Sequence, residues 1–240
     1  MTDSNRPPAA LAGSVLAVTG AATSCGLVGW WVATELRGEP AVPWVLARAC
    51  GVACYVLLVA LVATGLAMAH PWSRRAGGPG PELRLAVHAT LATFTLAFTA
   101  LHVVVLATDP WAHVGWAGAL LPFGSEYRPV AVTLGVLALW AGLVTWATAR
   151  LAGRVAGRVW WPVHKVAATT LALAWTHGVL AGTDAAALRW FYVSTGLGVV
   201  GLAVSRYTAR TPADRLAELT RGLGVDGTRE AQPQSAGLGR

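Results

Sequence analysis

Charge is what this sequence has least of. Only 12% of its 240 residues are charged, and Asp and Glu together number 11. Soluble domains carry about one quarter charged residues. With 55% hydrophobic residues and a mean hydropathy of +0.54, an ordinary soluble domain is excluded, and the apolar runs are long enough to cross a bilayer. Cysteine is also scarce. Cys25, Cys50 and Cys54 all lie in apolar segments, so there is no disulfide framework and no Cys-x-x-Cys site. Cys50 and Cys54 share a helix face and read as small residues packed between helices. Regular repeats are lacking as well. The net charge of +7 does not point to nucleic acid, because the basic residues stand between apolar runs rather than in one patch.

What is present is a series of six apolar runs, at about 11–34, 44–69, 84–107, 129–150, 160–182 and 188–206. Each approaches the ~20 residues that a membrane span requires. Trp30, Trp31, Trp44, Trp72, Trp111, Trp160, Trp161 and Trp190 fall near the run ends, as interfacial aromatics do. The stretch Ala22-Thr-Ser-Cys25 is a faint lipoprotein-like cleavage pattern without the usual leucine, and the run continues past it. A retained first span is therefore expected, not a removed signal peptide. The predicted organisation is a cytoplasmic N-terminus over 1–10, a six-helix membrane domain over 11–207, and a short, partly disordered cytoplasmic tail over 208–240.

Direction follows from Lys and Arg. Arg6, Arg74, Arg75, Arg84, Arg150, Arg154, Arg158, Lys165, Arg206 and Arg210 lie on one set of connecting segments, and Arg37, Arg48, Arg128 and Arg189 on the other. Ten against four places both termini in the cytoplasm of a multi-pass plasma-membrane protein. The third and fifth spans then run the same way, from inside to outside.

Four histidines stand out on those two spans: His88 and His102 on the third, His164 and His177 on the fifth. An imidazole in hydrocarbon is costly unless something satisfies it. Fourteen residues separate His88 from His102, about 21 Å along a helix, so the two sit at different depths. His164 and His177 are thirteen apart. Because the spans run the same way, His88 levels with His164, and His102 with His177. Helix bundles build cofactor sites in this manner. Zinc wants four ligands and a polar second shell, whereas a haem supplies four equatorial nitrogens and needs only two axial ligands. Two stacked haems would carry electrons across the layer. Arg84 and Lys165 at the inner level, and Arg48 and Arg128 toward the outer one, are candidate partners for haem propionates; snorkelling to the interface is the alternative for each. Fourteen residues fall about 40° short of four turns and thirteen fall about 140° short. His164 and His177 therefore do not share a face of an ideal helix, and Pro162 predicts an irregular or tilted inner end of the fifth span. His70 and His113 read as interfacial residues, not ligands.

The four-histidine spacing resembles the ferric reductase-like transmembrane domain. That superfamily includes ferric reductases, NADPH oxidases and the haem-binding membrane subunit of the methionine-sulfoxide reductase system. The likeness covers about 40–206, and Leu-Ala-Arg48-Ala-Cys-Gly, Pro122-Phe-Gly-Ser-Glu-Tyr-Arg128-Pro and Trp161-Pro-Val-His164 support it. The resemblance implies six helices, two b haems between the third and fifth, and inward-to-outward electron flow. His88 and His164 would ligate the inner iron, His102 and His177 the outer. Ferric reductases and NADPH oxidases append a flavin and nicotinamide domain. Here about thirty residues follow the sixth run, with no Gly-rich dinucleotide fingerprint. A cytoplasmic flavoprotein reductase or a membrane quinol is then the expected donor, and ferric iron or a partner protein outside the expected acceptor. No catalytic residue is identified, so the chain is either a transmembrane haem oxidoreductase or the electron-transfer subunit of one.

Two other classes compete. A membrane anchor dedicated to one extracytoplasmic reductase would be marked by an adjacent gene for that partner. A transporter or channel with structural histidines would be colourless, and the few intramembrane acids offer no evident ion path. Cytochrome b561-type proteins also hold two haems on four histidines, but this chain resembles them less in spacing.

Overall fold

The computed structural model describes residues 39, 42–72, 80–150, 164–209, 216, 218 and 219. The expected first span, Cys25, Arg6, Arg37, Arg74, Arg75, Arg154, Arg158, Arg210 and Pro162 lie outside the described residues, as does almost all of the tail.

Every regular element described is helical. In chain order they are α1 (Val42–Ala69), α2 (Pro81–Thr108), a 3-10 turn (Pro110–Ala112), α3 (Gly115–Leu120), α4 (Pro129–Arg150), α5 (Ala167–Ala181) and α6 (Arg189–Thr208). Proline opens α2 and α4, where its missing N–H costs nothing and its fixed φ suits the first turn. Among the described residues three helices are long and apolar enough to cross a membrane: α1, α2 and α4 over Pro129–Ala149. The helix α5 is apolar but has 15 residues, about 22 Å. It starts at Ala167, after a turn at Val166 that separates it from helical His164 and Lys165; residues 160–163 of the expected run lie outside the described residues. There the Thr169 N–H bonds to the Val166 carbonyl at 2.9 Å, a tighter i→i+3 closure. His164 and Lys165 precede that break.

Two antiparallel pairs make the frame. Gly51 and Gly65 of α1 lie against His102 and His88 of α2, and Gly135 and Gly142 of α4 lie against His177 and Thr170 of α5. Close approach at glycine is what lets helices pack where lipid gives no hydrophobic driving force. Along their lengths α2 and α5 are not packed on each other. Helix α6 runs parallel to α1: the Tyr55 and Thr195 hydroxyls are 2.6 Å apart, and His70 Nε2 is 3.2 Å from Ser205 Oγ. The core between α1, α5 and α6 is Tyr55, Leu58, Leu171 and Tyr192. Much of the remaining apolar surface is exposed, including Val56, Phe94, Val104 and Val144, as expected of faces turned to lipid.

At the end of the bundle where α2 and α5 finish, segment 121–128 forms a strap. Phe123 and Arg128 adopt φ of 60° and 39°, left-handed values that non-glycine residues rarely take. Hydrogen bonds hold them there: Phe123 N–H to Thr133 Oγ1 at 2.8 Å, Ser125 Oγ to the Tyr127 carbonyl at 2.9 Å, and Tyr127 N–H to the His113 carbonyl at 3.3 Å. Gly124 is pressed against α3, where an added Cβ would stand 2.5 Å from the Ala117 carbonyl oxygen. A backbone oxygen cannot swing aside, so Gly124→Ala is expected to cost about 2 kcal/mol. A lower midpoint of detergent-solubilised thermal unfolding is the check; an unchanged midpoint would mean the strap is not held against α3.

Candidate functional site

The structure brings His88, His102, His164 and His177 together as two pairs. The His88 and His164 rings have centroids 6.2 Å apart and planes at 64°. The His102 and His177 rings are 6.4 Å apart at 78°. These are the two levels expected from the spacing. The rings meet across the space between α2 and α5, where the two backbones do not pack.

Three of the four rings are held in the same way. His102 Nδ1 is 2.7 Å from the Ala47 carbonyl, and His177 Nδ1 is 2.8 Å from the Ala131 carbonyl. A carbonyl oxygen only accepts, so both Nδ1 atoms carry the proton. His88 Nδ1 is 3.2 Å from Thr64 Oγ1, and that hydroxyl donates its single proton to the Leu61 carbonyl at 2.9 Å. Thr64 must therefore accept from His88 Nδ1–H. In all three rings Nε2 keeps its lone pair and is the nitrogen able to bind a metal. An imidazole whose other nitrogen donates to a carbonyl is the usual second-shell arrangement of a metal-bound histidine.

The fourth ring belongs to His164, which is helical but lies ahead of the turn at Val166 that precedes α5. The break at Val166 separates it from the regular helix. This answers the geometric conflict in the sequence, since thirteen residues of unbroken helix would have aimed His164 and His177 in different directions.

The basic residues flank the levels. Arg84 is half-buried one turn before His88, and Lys165 is exposed beside His164. At the other level Arg48 forms an ion pair with Asp184, seven residues after His177. Its Nε is buried and has no hydrogen-bond partner. Arg128 Nη1 donates to the Leu180 carbonyl at 2.7 Å, and the Tyr127 hydroxyl donates to the Ala181 carbonyl at 2.9 Å. Together they satisfy carbonyls that the end of α5 leaves open. So Arg48 and Arg128 both reach the chain just beyond His177, through protein partners.

His70 and His113 stand apart from both pairs. His70 Nδ1 accepts from Trp72 N–H at 3.2 Å and its Nε2 faces Ser205. His113 is exposed and closes the 3-10 turn at φ 50°. Cys50 is buried and Cys54 half-buried, both free thiols. Cys54 Sγ donates to the Gly51 carbonyl at 3.3 Å within α1. Among the described residues no group of three or more His, Cys, Asp or Glu side chains is placed to hold a metal ion.

Sequence reasoning missed the sockets: Gly51, Gly65 and Gly135, Thr64, and the carbonyls of Ala47 and Ala131. One signal was there. Gly51 and Gly65 are fourteen residues apart, as are His88 and His102. Equal spacings on antiparallel helices put both glycines opposite both histidines. No family model matches the chain, and no curated protein or solved structure matches it either. The site is thus read from its own geometry.

Proposed function

We propose that this chain is a six-span transmembrane electron conduit holding two b-type haems, one at each histidine level. In this reading both termini are cytoplasmic, a cytoplasmic flavoprotein or a membrane quinol is the donor, and an extracytoplasmic ferric ion or partner protein is the acceptor.

The observation that carries the reading is the separation of the paired rings. A metal–imidazole bond of about 2.0 Å, plus ~1.1 Å from nitrogen to ring centre on each side, would put the centroids of two imidazoles that share one metal up to about 6.2 Å apart. The observed 6.2 and 6.4 Å are close to that. Two imidazoles alone leave a bare zinc ion two ligands short, but they complete a haem, whose ring brings the other four nitrogens.

A haem held by such a histidine pair would supply one-electron chemistry. The chain's own residues do the rest. His88 and His164 would hold the inner group, and His102 and His177 the outer. Ala47, Ala131 and Thr64 orient the rings and raise the basicity of Nε2. Arg84 and Lys165 would face inner propionates, Arg48 and Arg128 outer ones. The orphaned Arg48 Nε supports that role, because a buried guanidinium N–H without an acceptor is costly. The apolar helix faces keep water out, so charge crosses only at the histidine levels.

The test is the absorption spectrum of the purified protein in detergent, oxidised and dithionite-reduced, with haem quantified per chain. About two low-spin b haems per chain are expected. A colourless protein from haem-replete cells would overturn the reading and leave the transporter class standing.

A further inference from the structure

We infer that Gly51, Gly65 and Gly135 are positioning residues: each forms a slot that seats one imidazole against the facing helix and selects which ring nitrogen points away from it. The inference rests on the haem reading for its consequence, but not for its geometry.

The slots share one construction. In an α-helix the carbonyl of residue i−4 points toward residue i. With glycine at i, that carbonyl is uncovered on one side and can accept a second hydrogen bond. Gly51 follows Ala47 by four, Gly135 follows Ala131 by four, and Gly65 follows Leu61 by four. The Ala47 and Ala131 carbonyls take the Nδ1–H of His102 and His177 directly. The Leu61 carbonyl takes the Thr64 hydroxyl, which in turn accepts from His88. The inner ring is thus seated on both the Thr64 hydroxyl and the Leu61 carbonyl, and the two outer rings on backbone alone.

The slots are tight to different degrees. A Cβ at Gly135 would meet His177 Nδ1 and Cε1, both at 2.8 Å. At Gly51 it would meet His102 Cε1 at 3.0 Å and Nδ1 at 3.2 Å. At Gly65 it would meet His88 Cε1 at 3.2 Å, with Nδ1 at 3.8 Å. A methyl group at Gly135 must therefore displace the ring that the Ala131 carbonyl holds, whereas at Gly65 a shift of a few tenths of an ångström suffices. Gly142 is the internal control. It lies on α4 and faces α5 like Gly135, but its Cβ would meet only Thr170 Cγ2 at an ordinary 3.5 Å.

The experiment compares Gly135→Ala, Gly51→Ala, Gly65→Ala and Gly142→Ala in the full chain, with two readouts. In haem-free protein labelled with 15N-histidine, NMR reports the tautomer. The wild type is expected to show Nδ1–H for His102 and His177, and Gly135→Ala to lose that signature for His177 alone. In haem-loaded protein, electron paramagnetic resonance and redox titration resolve two components. Gly135→Ala is expected to lose or shift one of them and leave the other intact. Gly51→Ala should disturb that same component less, Gly65→Ala the other component, and Gly142→Ala neither. Equal effects of Gly135→Ala and Gly142→Ala, or tautomers unchanged in every variant, would overturn the inference. Should Gly135→Ala not fold, the order of Gly51→Ala and Gly65→Ala, each at its own level, decides. Wild-type protein that binds no haem defeats the functional reading, while the tautomers still decide the slots.

Discussion

His102→Ala is expected to halve bound haem and stop electron transfer across the membrane, even though the protein still folds and stays coloured. The two levels are built separately. His102 pairs with His177 and takes its support from Ala47 of α1, while His88 pairs with His164 and takes its support from Thr64. Removing one ring therefore strands only its partner. The expected loss of transfer exceeds the ~10–100-fold that losing an outer-shell partner of a metal ligand costs, because the ligand itself is gone and a conduit of two sites in series fails if either fails. His177→Ala should match His102→Ala. His88→Ala and His164→Ala should give the complementary defect, removing the other spectral component. Haem stoichiometry and stopped-flow reduction of protein in vesicles, with dithionite on one side and ferricyanide on the other, measure both effects. If all four variants keep two haems, these histidines are not the ligands.

How much of this was legible in the sequence depends on the kind of information. The helices were visible because runs of Ala, Leu and Val without charge have few alternatives in a bilayer: α4 begins at Pro129 as expected, and α1, α2 and α6 agree within a few residues at their ends. The grouping of histidines by depth was legible because helical rise is fixed, so spacing along parallel helices converts to level. The break at Val166 was foreshadowed by the mismatch between thirteen and fourteen residues, but its position was not, because the turn depends on how α5 seats against α4. The sockets were illegible one residue at a time. Glycine is common in this chain, at 27 residues, and only pairing against the histidines separates Gly51, Gly65 and Gly135 from the rest. The arginines were half legible. Charge placed Arg48 and Arg128 at one level, but not their protein partners: Asp184 sits in the loop after α5 and the Leu180 carbonyl at the open end of α5 itself, and no periodicity encodes how either meets its arginine.

The second large effect concerns what keeps α5 in place. Tyr192 of α6 is 7% exposed and fills the crease between α1, α5 and α6. Its ring lies 5.1 Å from that of Tyr55, and its carbonyl accepts Trp175 Nε1–H at 3.0 Å. Its hydroxyl comes within 2.8 Å of where a Cβ on Gly178 would stand, one residue after His177. Tyr192→Ala is expected to destabilise the protein by about 3 kcal/mol. That is the low end for a buried aromatic, because lipid is as apolar as the core and the cavity supplies most of the loss. Tyr192→Phe keeps the ring and should change stability by less than about 1 kcal/mol. The pair also separates packing from mere burial. Gly178→Ala should be destabilising in the wild type, where the new methyl meets the hydroxyl, and milder in Tyr192→Phe, where that atom is gone. A double-mutant cycle of unfolding midpoints in detergent measures the coupling. Its absence would mean that α6 does not clamp α5 at this point, and that His177 relies on α4 alone for its place.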